Sequence, residues 1–269
     1  MKRKKKKEEG QTLRLVFVFF VLVGLLLVGS VLVKLATVIE KSRFDGAHRF
    51  TVEFTSKDKP FTKVVSFAPD TRSISIITIQ NAAVIPQISE FLGIPIDTRV
   101  RLNNRYNEDI PQQLKTMLFY FNNFETDLTF IDLFRLWFFA KGVPSSSFTL
   151  REISSSLDEG AIDRTSSSLF LDYTLSRENI SIQVINGTGV LGLGNRLARL
   201  ITNTGGNVVS VETAESLVEK SELSFHTEET YTLEKLKKIL GFQTRKLEEK
   251  GIADIIITIG QDNGELTFF

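Results

Sequence analysis

From Leu15 to Val33 the chain is an uncharged apolar run, directly behind a block of lysine and arginine that extends from Lys2 to Lys7. A helix rises 1.5 Å per residue, so roughly 20 residues cross the ~30 Å hydrocarbon core, and a helix satisfies its own backbone amides there. This run is long enough. A cleaved secretory signal would carry an apolar stretch of only ~7–15 residues ahead of a small-residue cleavage pattern. The exit from Lys34 to Glu40 offers no such pattern, so the segment is expected to stay as an anchor. A Lys/Arg-rich flank resists translocation. Residues 1–14 therefore read as a cytoplasmic basic tail, 15–39 as a transmembrane helix, and everything after about residue 40 as extracytoplasmic.

The lysine block is topogenic in this reading, not a nucleic-acid site. Residues 1–14 hold seven basic and two acidic groups of the chain's 33 and 32, which leaves 26 basic against 30 acidic residues beyond them. A surface that neutralises many phosphates needs the opposite balance, so no nucleic-acid partner is expected. The chain has no cysteine. Disulfide staples and thiolate metal sites are thereby excluded, and the outer segment must be held by apolar cores. Its length suits one or two domains of ordinary size.

Between Ala47 and Leu102 short alternating or β-branched runs predict strands at 49–54, 61–67, 73–79 and 97–102, the second and third joined as a hairpin through Ala68-Pro69-Asp70-Thr71-Arg72. Residues 85–92 predict a short helix stopped by Gly93. Two further helices are expected at 111–124, with Pro111 in its first turn, and at 128–140, capped by Asp127 or Thr129 and stopped by Gly142-Val143-Pro144. The second contains Phe130, Ile131, Leu133, Phe134, Leu136, Trp137, Phe138 and Phe139. It is too short to span a bilayer, so it is expected as a buried cover for the sheet, with a place on the outer membrane surface as the alternative. Strands at 145–153 and 168–175 are expected around a polar loop, 154–167.

From about Glu178 strands and helices alternate: strands at 180–185, 208–211, 221–225 and 253–259, and helices at 195–203 and 232–240, the latter stopped by Gly241. Between the first strand and helix lies Gly187-Thr188-Gly189-Val190-Leu191-Gly192, a G-x-G-x-x-G, with Glu212 at the end of the next strand. Read literally this is a dinucleotide fingerprint. The segment is too small for the usual two-halved nucleotide fold and lies outside the membrane, so the glycines are expected to serve a tight strand-to-helix turn and close packing instead. No cofactor is expected.

The run Val184-Ile185-Asn186-Gly187-Thr188-Gly189-Val190-Leu191-Gly192, the following Arg196-Leu197-Ala198, and the closing Ala253-Asp254 to Gly260-Gln261-Asp262 resemble the LytR C-terminal domain over about residues 179–263. That module often stands behind LytR/CpsA/Psr (LCP) envelope proteins, and the resemblance implies an extracytoplasmic accessory role without assigned catalytic residues. On it, Asn186, Gly187, Thr188, Gly189, Gly192, Arg196, Asp254 and Asp262 are the candidate ligand-binding residues. The first segment resembles the LCP catalytic domain less closely, through Lys63–Ile79 and Ile88–Val100. Active members follow the hairpin with I-P-R-D; this chain has Ile79-Gln80-Asn81-Ala82. Gln and Asn cannot supply the charge that would grip a lipid pyrophosphate.

Other constellations are thin. His48 and His226 are the chain's two histidines and read as ordinary surface or cap residues; the pairs Asp158/Glu159 and Glu228/Glu229 read as solvated; no metal-ligand spacing stands out. The fold class expected is α/β (α+β): a transmembrane helix, a degenerate LCP-like domain at 44–177, a LytR C-terminal-like domain at 178–263, and a tail at 264–269. The function expected is noncatalytic binding or scaffolding in cell-wall assembly, with no catalytic residues and no metal. Its partners would be the membrane, peptidoglycan or another cell-wall polymer, and other envelope proteins. The alternative is an LCP-type phosphotransferase moving glycopolymers from a lipid carrier to peptidoglycan, with Arg72, Arg99, Arg101 or Arg105 replacing the lost motif. A third reading, transcriptional attenuation, would need a DNA-binding surface.

Overall fold

A computed structural model describes residues 2–56, 61–80, 82, 85–102, 107–226, 228–248 and 251–264, and the chain divides into two compact units, Met1–Arg43 and Phe44–Phe269. The first unit is the helix α1 (Lys2–Glu40). Its stretch from Phe17 to Glu40 is long and apolar enough to cross a membrane, with a mean hydropathy of 2.7. Phe17, Phe20, Leu25 and Leu26 are all more than half exposed. A helix that is apolar all round and uncovered matches lipid better than water.

Among the described residues the second unit contains two sheets and seven helices, a mixed α/β fold as expected. The first sheet comprises β1 (Phe50–Ser56), β2 (Phe61–Ala68), β3 (Ser73–Gln80), β4 (Thr98–Leu102), β5 (Glu125–Thr126) and β6 (Phe148–Ser154), in the order β5-β4-β1-β2-β3-β6. β1, β2 and β3 run antiparallel, whereas β4 joins β1 and β6 joins β3 in parallel. Period-two alternation sends Phe50, Val52 and Phe54 to one face and Thr51 and Glu53 to the other. The register aligns the first set with Val65, Phe67, Ile74, Ile76, Val100 and Leu102.

The helices α2 (Ile88–Leu92), α3 (Ile110–Phe119), α4 (Phe130–Gly142), α5 (Glu159–Phe170) and α6 (Tyr173–Glu178) belong to this half of the chain. Ile110, Leu114 and Met117 of α3 with Leu133, Leu136 and Ala140 of α4 close one core over the first face. Ile88 and Leu92 of α2 with Ile162 and Phe170 of α5 close a second over Val64, Ile77, Ile79 and Ile153. The central strands are therefore covered on both sides.

α4 begins with a capping box between Thr129 and Asp132. It is buried along one face only: Phe130, Phe134 and Phe138 are 53%, 49% and 67% exposed. The larger departure is at 154–175, where the loop-then-strand expectation gives way to α5 and α6. The Asp158 side chain accepts from Ala161 N to start α5, and Asp172 accepts from Thr174 N and Leu175 N to start α6. Serine and threonine are weak helix formers. Here Thr165 and Ser168 donate their hydroxyls to the carbonyls of Ala161 and Thr165, while Ile162, Ser166 and Phe170, four apart, are buried. Tertiary packing overrides propensity.

The second sheet comprises β7 (Ser181–Asn186), β8 (Asn207–Thr213), β9 (Glu222–Phe225), β10 (Gln243–Lys246) and β11 (Ile255–Ile259), ordered β10-β9-β11-β7-β8. β10, an all-exposed strand without an apolar residue, was not expected from the sequence. Ile182, Val184, Leu223, Ile255, Ile257 and Ile259 share one face, covered by α7 (Leu193–Asn203) and α8 (Tyr231–Leu240).

Candidate functional site

The strand-to-helix loop at the C-terminal end of β7 is bonded to itself. Asn186 Oδ1 accepts from Thr188 N and Thr188 Oγ1 at 3.1 and 2.7 Å, Asn186 Nδ2 donates to the Val190 carbonyl at 2.8 Å, and Val190 N donates to Thr188 Oγ1 at 3.0 Å. Short polar side chains that satisfy neighbouring backbone groups fix a turn. Gly187 N donates to the Ile259 carbonyl and Val218 N donates to the Gly187 carbonyl. A Cβ on Gly187 would sit 2.5 Å from Val218 Cγ2. Gly189 and Gly192 have φ of 79° and 78°, the left-handed region that favours glycine. The loop's glycines thus serve turn geometry and close approach, and its amides at 187, 188 and 190 are already engaged, which supports the packing role over the dinucleotide fingerprint.

Asp262 reaches the same end of the sheet, since β11 runs parallel to β7 with Ile259 beside Asn186. Its Oδ1 accepts from Ser221 N at 2.9 Å and Ser221 Oγ at 2.7 Å. Desolvation disfavours the charge, but these bonds, with Asn263, hold the carboxyl below its ordinary range. The other two candidates lie elsewhere. Asp254, at the N-terminal end of β11, accepts from Ser181 N and Oγ, and its own amide donates back to Ser181 Oγ. Arg196, on α7, donates to Glu90 Oε1 of α2 at 2.9 Å. Glu212 accepts from Gln183 Nε2 and Ser210 Oγ. The surface the loop presents is apolar: Val190, Leu191 and Leu217 are 41%, 95% and 61% exposed, and Leu217 lies directly over Gly189.

Gly189→Ala should destabilise the chain by about 1 kcal/mol or more, because its Cβ meets both the positive φ and Leu217. Chemical denaturation reads the loss. An unchanged midpoint would remove the conformational argument for this glycine.

Among the described residues, Arg99 and Arg101 share the exposed face of β4, each tied to its own carboxylate, and Arg72 stands apart from them. Arg99 Nε donates to Glu53 Oε2 at 3.0 Å and Arg101 Nη1 to Glu125 Oε2 at 2.8 Å. Burial pushes the Glu53 carboxyl up against the pull of Arg99. Arg72, at φ 48°, occupies the β2–β3 turn, while the register sets Arg101 beside Thr55 at the far end of the sheet. Gln80, where the LCP motif would begin to depart, donates to Glu152 Oε2. Asn81 and Arg105 lie outside the described residues.

A polar cluster that the sequence reading missed joins the two halves. Asp172, 2% exposed, pairs with Lys235 and accepts from Tyr231 OH at 2.7 Å. His48 stacks on the Tyr231 ring at 4.3 Å and bonds Asp45 through Nδ1. Tyr231-x-x-x-Lys235 places both groups on one face of α8, which was the available signal. A second junction is built by Arg199, which donates to Asp163 and to the Glu90 and Phe91 carbonyls at the end of α2.

No curated protein matches the chain. Among solved structures it is similar to the transcriptional regulator yvhJ from Bacillus subtilis, at 14% identity and a TM-score of 0.32 over 39% of this chain and 82% of that one. It is similar to the Lin1025 protein from Listeria innocua, at 12% identity and a TM-score of 0.31 over 44% and 95%. Similarity to B. subtilis TagT has 12% identity and a TM-score of 0.20 over 84% and 90%. A family model described as LytR cell envelope-related transcriptional attenuator matches residues 179–262, and that segment is a LytR C-terminal domain.

Proposed function

We propose that this protein is a single-pass membrane protein whose N-terminus is cytoplasmic and whose bulk, from about residue 40, binds cell-wall polymer without catalysis, as a scaffold in envelope assembly. The observation that carries the reading is the presence in one chain of a LytR C-terminal domain and a helix able to cross a membrane. Direction follows from Lys2–Lys7 and Arg14 on the short side of that helix. The noncatalytic assignment is supported by the tie of Arg99 and Arg101 to their own carboxylates and of Gln80 to Glu152. We assign the polymer contact to the Asn186–Gly192 loop; the reading is supported by polar groups that hold the loop's shape while Leu191 and Leu217 are exposed. Such apolar tips suit the ring faces of sugars and the side chains of stem peptides. The alternative, an LCP-type phosphotransferase, would need Arg99 or Arg101 released from its partner.

Full-length chain in detergent, sedimented with purified cell-wall sacculi, should appear in the pellet, and Leu191→Asp/Leu217→Asp should return it to the supernatant with its circular dichroism unchanged. A wild-type chain that stays in the supernatant ends the wall-binding reading. Turnover of a polyprenyl pyrophosphate that vanishes in Arg99→Ala replaces it with the transferase. Orientation is read separately: protease added to spheroplasts should remove a C-terminal epitope, and an epitope left intact there reverses the topology.

A further inference from the structure

The exposed face of α4 has the composition of a membrane-interface element. Phe130, Phe134 and Phe138, spaced four apart, form one stripe with Lys141 at its end. Phe138 stacks on Phe134 with ring centroids 6.4 Å apart, and Trp137 packs beside Phe134 at 6.0 Å. Lys141 Nζ stands over the Trp137 ring at 5.5 Å. The helix has one acidic residue, Asp132, and it is fully buried. The opposite face closes the core through Leu133 and Leu136, so the stripe is surplus to what packing needs. Aromatic rings with a basic residue at the rim are what the headgroup boundary of a bilayer accommodates.

The chain itself says which surface is near. Asp132 Oδ1 accepts from Phe44 N at 2.9 Å and Arg135 Nη1 donates to the Phe44 carbonyl at 2.9 Å, so α4 grips the residue where the second unit starts. α1 ends at Glu40. Four residues span at most about 14 Å. If α1 crosses a membrane, the residue to which the first turns of α4 are bonded lies within that length of chain from the end of the crossing helix, so a lipid surface is the partner the sequence itself supplies.

We infer that α4 lies on the outer leaflet of the membrane, with Phe130, Phe134 and Phe138 in the headgroup–acyl boundary and Lys141 among the phosphates. This rests on the anchor reading of α1. Contact along α4 would attach the outer unit to the membrane at a second point besides the crossing helix.

Trp137 is the chain's single tryptophan, and it reports the contact directly. Full-length protein in nanodiscs whose lipids carry bromine at a shallow acyl carbon should lose most of its tryptophan emission relative to unbrominated nanodiscs, and Phe134→Ser/Phe138→Ser should restore it with unchanged circular dichroism. Liposome flotation of the same samples separates the two readings. A chain that floats while Trp137 stays unquenched leaves the anchor in place and overturns the surface contact; a chain that does not float overturns the anchor. Unquenched Trp137 in a nanodisc holding two copies puts the stripe against a second molecule, which also overturns the proposal.

Discussion

Replacing Asp172 by alanine should destabilise the outer unit by about 3–5 kcal/mol, the range found when one partner of a buried ion pair is removed. Asp172 starts α6 through Thr174 N and Leu175 N, accepts from Tyr231 OH, and faces the Lys235 ammonium, whose side chain is 11% exposed. Alanine leaves that ammonium, a half-buried phenol and two helix-start amides without this acceptor. Asp172→Asn keeps the cap and loses the charge, so it should fall between alanine and wild type. The pH dependence carries a sign. Burial alone would raise the Asp172 carboxyl, but Lys235, the Tyr231 hydroxyl and Leu175 N hold it below its ordinary 3.8. A carboxyl lowered by folding contributes stability that is present above its unfolded value and is lost as pH falls through the folded one. Wild type should therefore lose stability below about pH 4 more steeply than Asp172→Asn. Glu53, raised by burial, acts oppositely, stabilising below its unfolded value and losing that contribution as pH rises through the folded one. Urea midpoints of both proteins between pH 2 and 6 test this; parallel acid limbs would show that Asp172 does not carry the charge assigned to it.

Elements whose own residues alternate or cap were legible, and those that depend on a distant partner were not. Residues 61–67 and 73–79 announced a hairpin through β-branched runs and one Pro-Asp turn, and the register bears that out. Gly93 and Gly241 stopped α2 and α8 where expected, each in the left-handed region. α5 was hidden because serine-rich sequence reads as loop until Ile162 and Phe170 find the sheet beneath them. β10, Gln-Thr-Arg-Lys, has no pattern of its own and exists through its pairing with β9. The candidate site shows the same division. Motif spacing brought Asn186, Gly187, Thr188, Gly189, Gly192 and Asp262 to one end of the sheet, whereas Asp254 and Arg196 stand on contacts that join strand to strand and half to half.

Arg196 and Arg199 are one turn apart on α7, and their substitutions should differ severalfold in cost. Arg196 and Glu90 have side chains 42% and 45% exposed, so water screens the pair and Arg196→Ala should cost under about 1 kcal/mol. Arg199 is 17% exposed. Its guanidinium bonds both oxygens of Asp163, meets Glu159 at 3.0 Å, and donates to the Glu90 and Phe91 carbonyls at 2.7 and 3.1 Å. Both carbonyls stand at the C-terminal end of α2, where Glu90 O also accepts from Gly93 N, so one cation meets the terminus and the carboxylate together. Gly93 lets it approach: at φ 61° it ends α2, and a Cβ there would lie 2.9 Å from Arg199 Nε and 2.5 Å from Asn203 Nδ2. Arg199→Ala should accordingly cost about 2–4 kcal/mol, with the charge-assisted bonds as the main loss. Arg199→Lys should recover little of it, since a point charge cannot reach Asp163 and two carbonyls at once. Urea unfolding of the detergent-solubilised chain decides between the two positions. Equal losses for Arg196→Ala and Arg199→Ala would mean that burial does not set the strength of this junction.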